Sequence, residues 1–257
     1  MAGRVLAMVI RAVGRYGCAM LDLQSRPKCS ECPIRHRAVC ARCDDDELLM
    51  LEQIKTYKSF KAGDQVLWRG DGLTYVASVV AGVASLGKTM EDGRTQMVGL
   101  LLPSDFIGRP GREAIDFDVV AVTDVTLCCF HRKPFEALIE TTPHIAQRLM
   151  EMALDELDAA RDWMLLLGRK TAREKIATFI EMLVRRQQLT IADAMDQELV
   201  LPLTRHEIAN YLGLTLETVS RQLGAMKKER IVQFVDRRRF RVTDLEALHV
   251  ASGDDCL

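Results

Sequence analysis

Between Leu201 and Arg241 the chain reads LPLTRHEIANYLGLTLETVSRQLGAMKKERIVQFVDRRRFR, and its spacing leaves few ways to fold. Ile208 and Ala209 are followed by Leu212, Gly213 and Leu214, and then by Val219 and Leu223. That is the pattern of two helices joined by a tight turn and held at a fixed angle, a helix-turn-helix. Ala209 is small enough for a close crossing, and Gly213 can take the positive φ of the turn. The apolar positions face inward. Thr215 suits the N-cap of the second helix, whose opening turn then carries Glu217, Thr218, Ser220 and Arg221 outward. Beyond it, 231–235 and 240–242 read as short strands around the basic turn Asp236-Arg237-Arg238-Arg239. This is a wing.

The outward face has the chemistry of base reading. A carboxylate accepts from cytosine N4, an arginine forks onto guanine O6 and N7, and a hydroxyl serves either strand. Residues 200–241 hold nine Lys/Arg against four Asp/Glu, an excess of five in a chain whose net charge is -1. The positive charge is therefore local, as a footprint on phosphate should be. The expected partner is double-stranded DNA, with Glu217, Ser220 and Arg221 on base edges. Thr215, Thr218, Lys227, Lys228, Arg237, Arg238 and Arg239 are expected on the backbone. A helical pair with a merely solvated charged face would need neither the glycine nor the wing.

Eight cysteines in 257 residues are the second constraint, five of them lying between Cys18 and Cys43. Four form Cys29-x2-Cys32-x7-Cys40-x2-Cys43. Two residues between thiolates let both sulfurs point at one centre, and clustered cysteines in a reducing compartment more often bind metal than form disulfides. Zinc would take all four of these in a tetrahedral site, although zinc ribbons usually have a longer loop between their pairs. An iron–sulfur cluster would equally take four thiolates, from here or from elsewhere in the chain. His36 inside the loop reads as a solvated side chain.

The remaining sequence supplies the frame, and the fold class expected is α+β. The first 45 residues are a tail and the cysteine segment. The start, MAGRVLAMVIRAVGRYG, is too short to span a bilayer and is broken by Arg4, Arg11 and Arg15. Asp44-Asp45-Asp46-Glu47 opens an amphipathic helix with Leu48, Leu51 and Ile54 on one face. The sensor domain expected over 46–140 holds, from about Thr56 to Phe130, short alternating runs punctuated by glycine that predict an antiparallel β-barrel or jelly roll, with Cys128 and Cys129 ending its last strand. One of these two faces inward, because strand neighbours alternate.

From Pro143 a long helix is expected through 168. Ala146, Met150, Ala153, Leu157, Ala160, Met164 and Leu167 recur at alternating steps of four and three, a coiled-coil seam suited to a homodimer. The competing reading packs this face on the helix's own barrel. Residues 169–250 would form the winged helix-turn-helix domain, with Thr171 to Arg186 as its first helix and 187–198 a polar connection. Residues 251–257 are a C-terminal tail.

In this order the segments resemble the CRP/FNR superfamily over nearly the whole chain, and more narrowly its oxygen-responsive FNR-type branch. The recognition helix LTLETVSRQL is similar to the group's E-x-x-S-R pattern at Glu217, Ser220 and Arg221, which in that family read TTGAT-type half-sites. WMLLLGRKTAREKIATFI resembles the family's junction between dimer helix and DNA domain. The resemblance implies a 4Fe–4S cluster held by three N-terminal cysteines and one from the barrel. Here those are Cys29, Cys32, Cys40 and Cys128, with Cys129 the fallback for the barrel ligand and Cys43 a fifth candidate. It further implies a cytoplasmic dimeric regulator that meets RNA polymerase, whose cluster favours the dimer and is destroyed by oxygen.

Other classes lack support. A cyclic-nucleotide sensor needs an Arg-Ser pair on a phosphate-binding turn, whereas DFIGRPGREAIDFDVVAVTD lacks it and presents Asp116 and Asp118. No cyclic nucleotide is expected, although Arg109 and Arg112 lie nearby. An enzyme is not expected either, because no His–acid partner stands beside the CxxC pairs. A regulator with structural zinc and no oxygen sensing is the remaining alternative.

Overall fold

The computed structural model describes residues 28–186 and 198–253. The expected N-terminal tail with Cys18, nearly all of the polar connection and the last four residues lie outside them. Backbone contacts divide the described residues into two compact units, one ending at Arg161 and one beginning at Asp162.

The first unit is built on eight strands: β1 (Lys55–Phe60), β2 (Gln65–Leu67), β3 (Tyr75–Ala81), β4 (Ala84–Thr89), β5 (Thr95–Leu101), β6 (Phe106–Ile107), β7 (Asp118–Ala121) and β8 (Val125–His131). They form two antiparallel four-stranded sheets, ordered β1-β8-β3-β6 and β2-β7-β4-β5. Val79, Val119, Leu127 and Cys129 pack between them in a continuous apolar core. Gly82 makes the turn from β3 to β4 at φ +83, where an added Cβ would stand 2.0 Å from the Asp124 carbonyl oxygen. Only glycine fits there.

The outer face of the β1-β8-β3-β6 sheet is covered as well. A 3₁₀ turn (Cys29–Glu31) and α1 (Asp45–Ile54) pack together, and α2 (Arg132–Thr141) follows β8 directly. Phe135 of α2 stacks on Phe130 and Phe106, at ring separations of 5.2 and 5.8 Å. The sequence reading placed α2 inside the barrel. It opens directly from β8 without a side-chain cap, so its start carries no capping signal. By contrast α1 starts where expected: Asp44 and Glu47 form a reciprocal capping box, and Leu48 and Leu51 are buried.

The long helix α3 runs from Pro143 to Arg169, passing through Gly168 without a break. Its seam is not packed on the barrel. Met150 and Met164 are 66% and 65% exposed, Leu157 and Leu167 are also open, and so are Ala153 and Ala160. Leu154 and Leu165, one step round the helix, widen the apolar stripe.

In the second unit, α4 (Ala172–Arg186) meets α5 (Arg205–Leu212) through Phe179 on Tyr211, and packs against α6 (Leu216–Lys228) and α7 (Leu245–Ser252). A three-stranded sheet completes it, ordered β10 (Val232–Phe234), β11 (Arg239–Val242), β9 (Leu199–Val200). The wing thus has a third strand beyond the two expected. Neither β9, of two residues, nor α7, of eight, is long enough to give a periodic signal.

Candidate functional site

The turn between α5 and α6 follows from its sequence. Thr204 and Glu207 form a capping box on α5, and Gly213 ends that helix in the left-handed region, with φ 62 and ψ 44. Leu214 N–H then donates to the Ala209 carbonyl at 2.8 Å. Thr215 caps α6 by accepting from Thr218 N–H at 3.2 Å. Ile208, Leu212, Val219 and Leu223 are buried between the helices, while Leu214 is half-buried.

This leaves Glu217 and Arg221 exposed on the opening turns of α6, with Ser220 beside them. The backbone amide at the helix start, together with the Thr215 hydroxyl, holds the Glu217 carboxyl below its ordinary range. It is therefore an ionised acceptor. Arg205, which the sequence reading did not assign to this surface, donates to Ser220 Oγ at 3.4 Å. Thr215 and Thr218 are bonded to one another at 3.1 Å, so their hydroxyls already serve the cap.

The wing is tied internally. Asp236 accepts from the backbone N–H of Arg238 and Arg239 and from Arg239 Nε at 2.6 Å, and Arg239 also pairs with Glu198 at 3.4 Å. Arg239 is drawn back as a structural tie, and Arg237 and Arg238 stand exposed at the tip. Lys227 and Lys228 are exposed too, but in the last turn of α6, about 15 Å along the helix from Glu217.

The other constellation lies in the first unit. Register on β8 separates the two adjacent cysteines. Cys129 pairs with Thr56 and Ala77 and points into the core between the sheets. Cys128 pairs with Tyr57 and Ser78 and faces the opposite side. There it lines a small cavity shared with Cys29, Cys32 and Cys40, closed by Ile34, Val39, Leu51 and Phe130. Cys43 is buried but outside that lining, and His36 is exposed.

Burial pushes all these thiols up, Cys40 to about 11 and Cys43 to about 12. Cys128 is raised well above its ordinary value, by burial first and then by Cys32, Cys29 and Cys40. Four thiolates here repel each other and need a positive centre between them. The described cysteines are free thiols. Within the described residues, the three-ligand group converging within 4.8 Å is Asp44, Glu47 and His144, not a set of cysteines. Four sulfurs on one tetrahedral zinc would lie about 3.8 Å apart, whereas a larger multinuclear centre spreads them wider. Four thiols lining one cavity are the donor set that an iron–sulfur cluster takes, and the donor type fits it.

Charged side chains that the sequence did not advertise hold the cysteine loop. Arg35 donates to the carbonyls of Cys40, Ala41 and Cys43 at 2.7, 3.1 and 2.7 Å. Glu52 accepts from Cys29 N–H at 3.0 Å, and buried Lys55 donates to Cys29 Sγ at 3.4 Å. From α3, Arg148 reaches the Arg37 and Ala38 carbonyls at 2.7 and 3.4 Å, and Glu151 pairs with Arg42 at 2.7 Å. The loop between Cys32 and Cys40 is thus tied to the helix that carries the exposed seam.

Comparison with known proteins agrees with both halves. Residues 174–250 match the Crp-like helix-turn-helix domain and residues 57–142 the cyclic nucleotide-binding domain. The chain is 58% identical over 230 residues to the transcriptional activator protein FnrL of Cereibacter sphaeroides, covering 89% of this chain and 93% of that one. It is 39% identical over 207 residues to the nitrogen fixation regulation protein FixK of Bradyrhizobium diazoefficiens, covering 80% and 86%. The structure of FixK2 from Bradyrhizobium japonicum superposes with a TM-score of 0.71 at 32% identity, over 79% of this chain and all of that one. Among the described residues no helix is long and apolar enough to cross a membrane. A winged helix-turn-helix behind a double-sheet barrel and a long helix, with relatives this similar over most of their length, makes this chain a member of the CRP/FNR family of DNA-binding transcription regulators.

Proposed function

We propose that the chain is a cytoplasmic, homodimeric transcription activator whose DNA binding is switched by oxygen through a 4Fe–4S cluster on Cys29, Cys32, Cys40 and Cys128. The observation that carries this is the strand register that turns Cys128, and not Cys129, toward the cavity lined by three N-terminal cysteines. When bound, the cluster supplies a ligated centre that dioxygen is able to break down. Everything else is done by the chain. With the four sulfurs held, the loop 32–40 is closed, and its Arg37 and Ala38 carbonyls are fixed as acceptors for Arg148. That holds the first half of α3, and with it Met150 and Ala153 of the seam. Loss of the centre frees the loop and removes this brace, which weakens pairing of two α3 helices.

Pairing matters because one α6 reads only half a site. Two copies present their recognition helices to half-sites about 34 Å apart, on a two-fold symmetric TTGAT-type sequence. Glu217, Ser220 and Arg221 read bases, and Arg237 and Arg238 meet phosphate. RNA polymerase is the downstream partner, as the activator names of the relatives suggest. This reading needs no cyclic nucleotide; in the segment that lacks the Arg-Ser pair, Gly111 N–H donates to Glu136 at 2.9 Å. The alternative of a structural zinc would draw on Cys43, which lies outside the cavity that Cys29, Cys32, Cys40 and Cys128 line.

The test is iron, sulfide and zinc content with a visible spectrum on protein purified without oxygen, paired with DNA affinity before and after air. About four iron and four sulfide per chain, with colour and affinity both lost in air, is the expected result. One zinc, no colour and an affinity indifferent to air would sink the oxygen-sensing reading.

A further inference from the structure

On the outer face of the β1-β8-β3 sheet, Tyr57, Cys128 and Ser78 stand side by side on adjacent strands, and all three line the cysteine cavity. Ser78 is 1% exposed, and its Oγ has no hydrogen-bond partner; it is the one such buried side chain among the described residues. The barrel's other deeply placed strand serine, Ser85, does reach a carbonyl, that of Val120 at 3.5 Å. An orphaned buried hydroxyl weakens a fold, and alanine would fill the same space without that penalty. What surrounds Ser78 is a cavity of apolar side chains and sulfurs, and the acceptor it lacks is one that an anionic sulfur would provide.

We propose that Ser78 is a positioning residue for the cofactor of this cavity, its hydroxyl donating a hydrogen bond to a sulfur of the iron–sulfur cluster beside Cys128. The inference rests on the iron–sulfur reading above. Lys55 already supplies one donor to the site at Cys29 Sγ, from β1; Ser78 supplies a second from β3. Hydrogen bonds to the sulfurs help set a cluster's reduction potential. They draw electron density from sulfur and favour the more reduced state. Ser78 therefore makes it harder for dioxygen to take an electron, so it slows the response to air without touching DNA.

The experiment uses the full chain, loaded without oxygen, as wild type, Ser78→Ala and Ser85→Ala. The half-life of the visible absorbance is followed after a fixed dose of air-saturated buffer, and the metal-free proteins are melted in parallel. For Ser78→Ala the half-life is expected to fall about 3- to 10-fold, the scale of one hydrogen bond. Its metal-free form should melt at the wild-type temperature or higher. Ser85→Ala should leave the half-life unchanged. A variant that melts normally but loads no cluster would support the proposal equally. An unchanged half-life overturns it. So does a half-life that falls together with metal-free melting, which would mark Ser78 as plain structure. Absence of iron and sulfide from the wild type itself would instead show that the iron–sulfur reading had failed, and the proposal with it.

Discussion

Replacing Arg148 by methionine separates holding the metal centre from transmitting its state. The guanidinium spans from α3 to the cysteine loop, with Nη2 at 2.7 Å from the Arg37 carbonyl and Nε at 3.4 Å from that of Ala38. A hydrogen bond to a charged group contributes about 1.5–3 kcal/mol, and the contact at 3.4 Å adds little. The Arg148 side chain is 20% exposed, so water competes for it and the lower end applies. A loss of about 1.5 kcal/mol of coupling is roughly tenfold in an equilibrium constant. Methionine keeps the apolar stem, and no cysteine is touched. The assay is titration of a labelled TTGAT-type duplex by protein kept without oxygen, and again after air, with iron measured on the same samples. The expected result is wild-type iron with the ratio of the two Kd values reduced about tenfold. Full iron with an unchanged ratio would refute the brace, and a loss of iron in step with affinity would make Arg148 merely a support for the loop.

Three further outcomes are expected. Arg221→Ala should lose about 1–3 kcal/mol of discrimination at one base of each half-site while leaving affinity for random DNA nearly unchanged; equal weakening on specific and random duplexes would move the reading face elsewhere. Asp236 is held at about 2 by the backbone N–H of Arg239, then the Arg239 side chain and the N–H of Arg238. Its folded pKa is depressed, so its stabilisation of the wing is present above the unfolded value of about 3.9 and is lost as pH falls through about 2. Protection of the Arg238 and Arg239 amides, taken relative to their intrinsic exchange at each pH, should therefore persist down to about pH 3 in wild type and be lower throughout in Asp236→Asn, with equal protection counting against the tie. Gly82→Ala puts a Cβ 2.0 Å from a backbone oxygen at a positive φ, and should destabilise the barrel by about 3 kcal/mol or more. Unaltered thermal unfolding would mean the β3–β4 turn is not as tight as described.

Much of the second unit was legible because its signals are local. Gly213 and Thr215 each act within four residues of themselves, through a left-handed turn and a cap, so their spacing already dictated where α5 ended and α6 began. Likewise the four-and-three recurrence along α3 is a property of one helix, and its exposed face lies where the repeat put it. The wing was readable in outline, but not the link from Arg239 and Arg241 to Glu198, which lies 41 and 43 residues away.

The cysteine site divides along the same line. Sequence alone established that Cys29, Cys32 and Cys40 lie within twelve residues of each other, close enough to serve one centre. It left Cys128 and Cys129 open, because adjacent residues on a strand differ only in which face they take, and that depends on which face of the sheet meets the core. Tertiary structure decided it through the pairing of β8 with β1 and β3, which turned Cys129 inward and brought Cys128 beside Ser78 and Tyr57. Lys55, Arg148 and Ser78 escaped notice for the same reason. Taken singly they are ordinary residues, and they acquire a role only when residues 26 to 111 positions apart, or a neighbouring strand, bring sulfurs and carbonyls within reach.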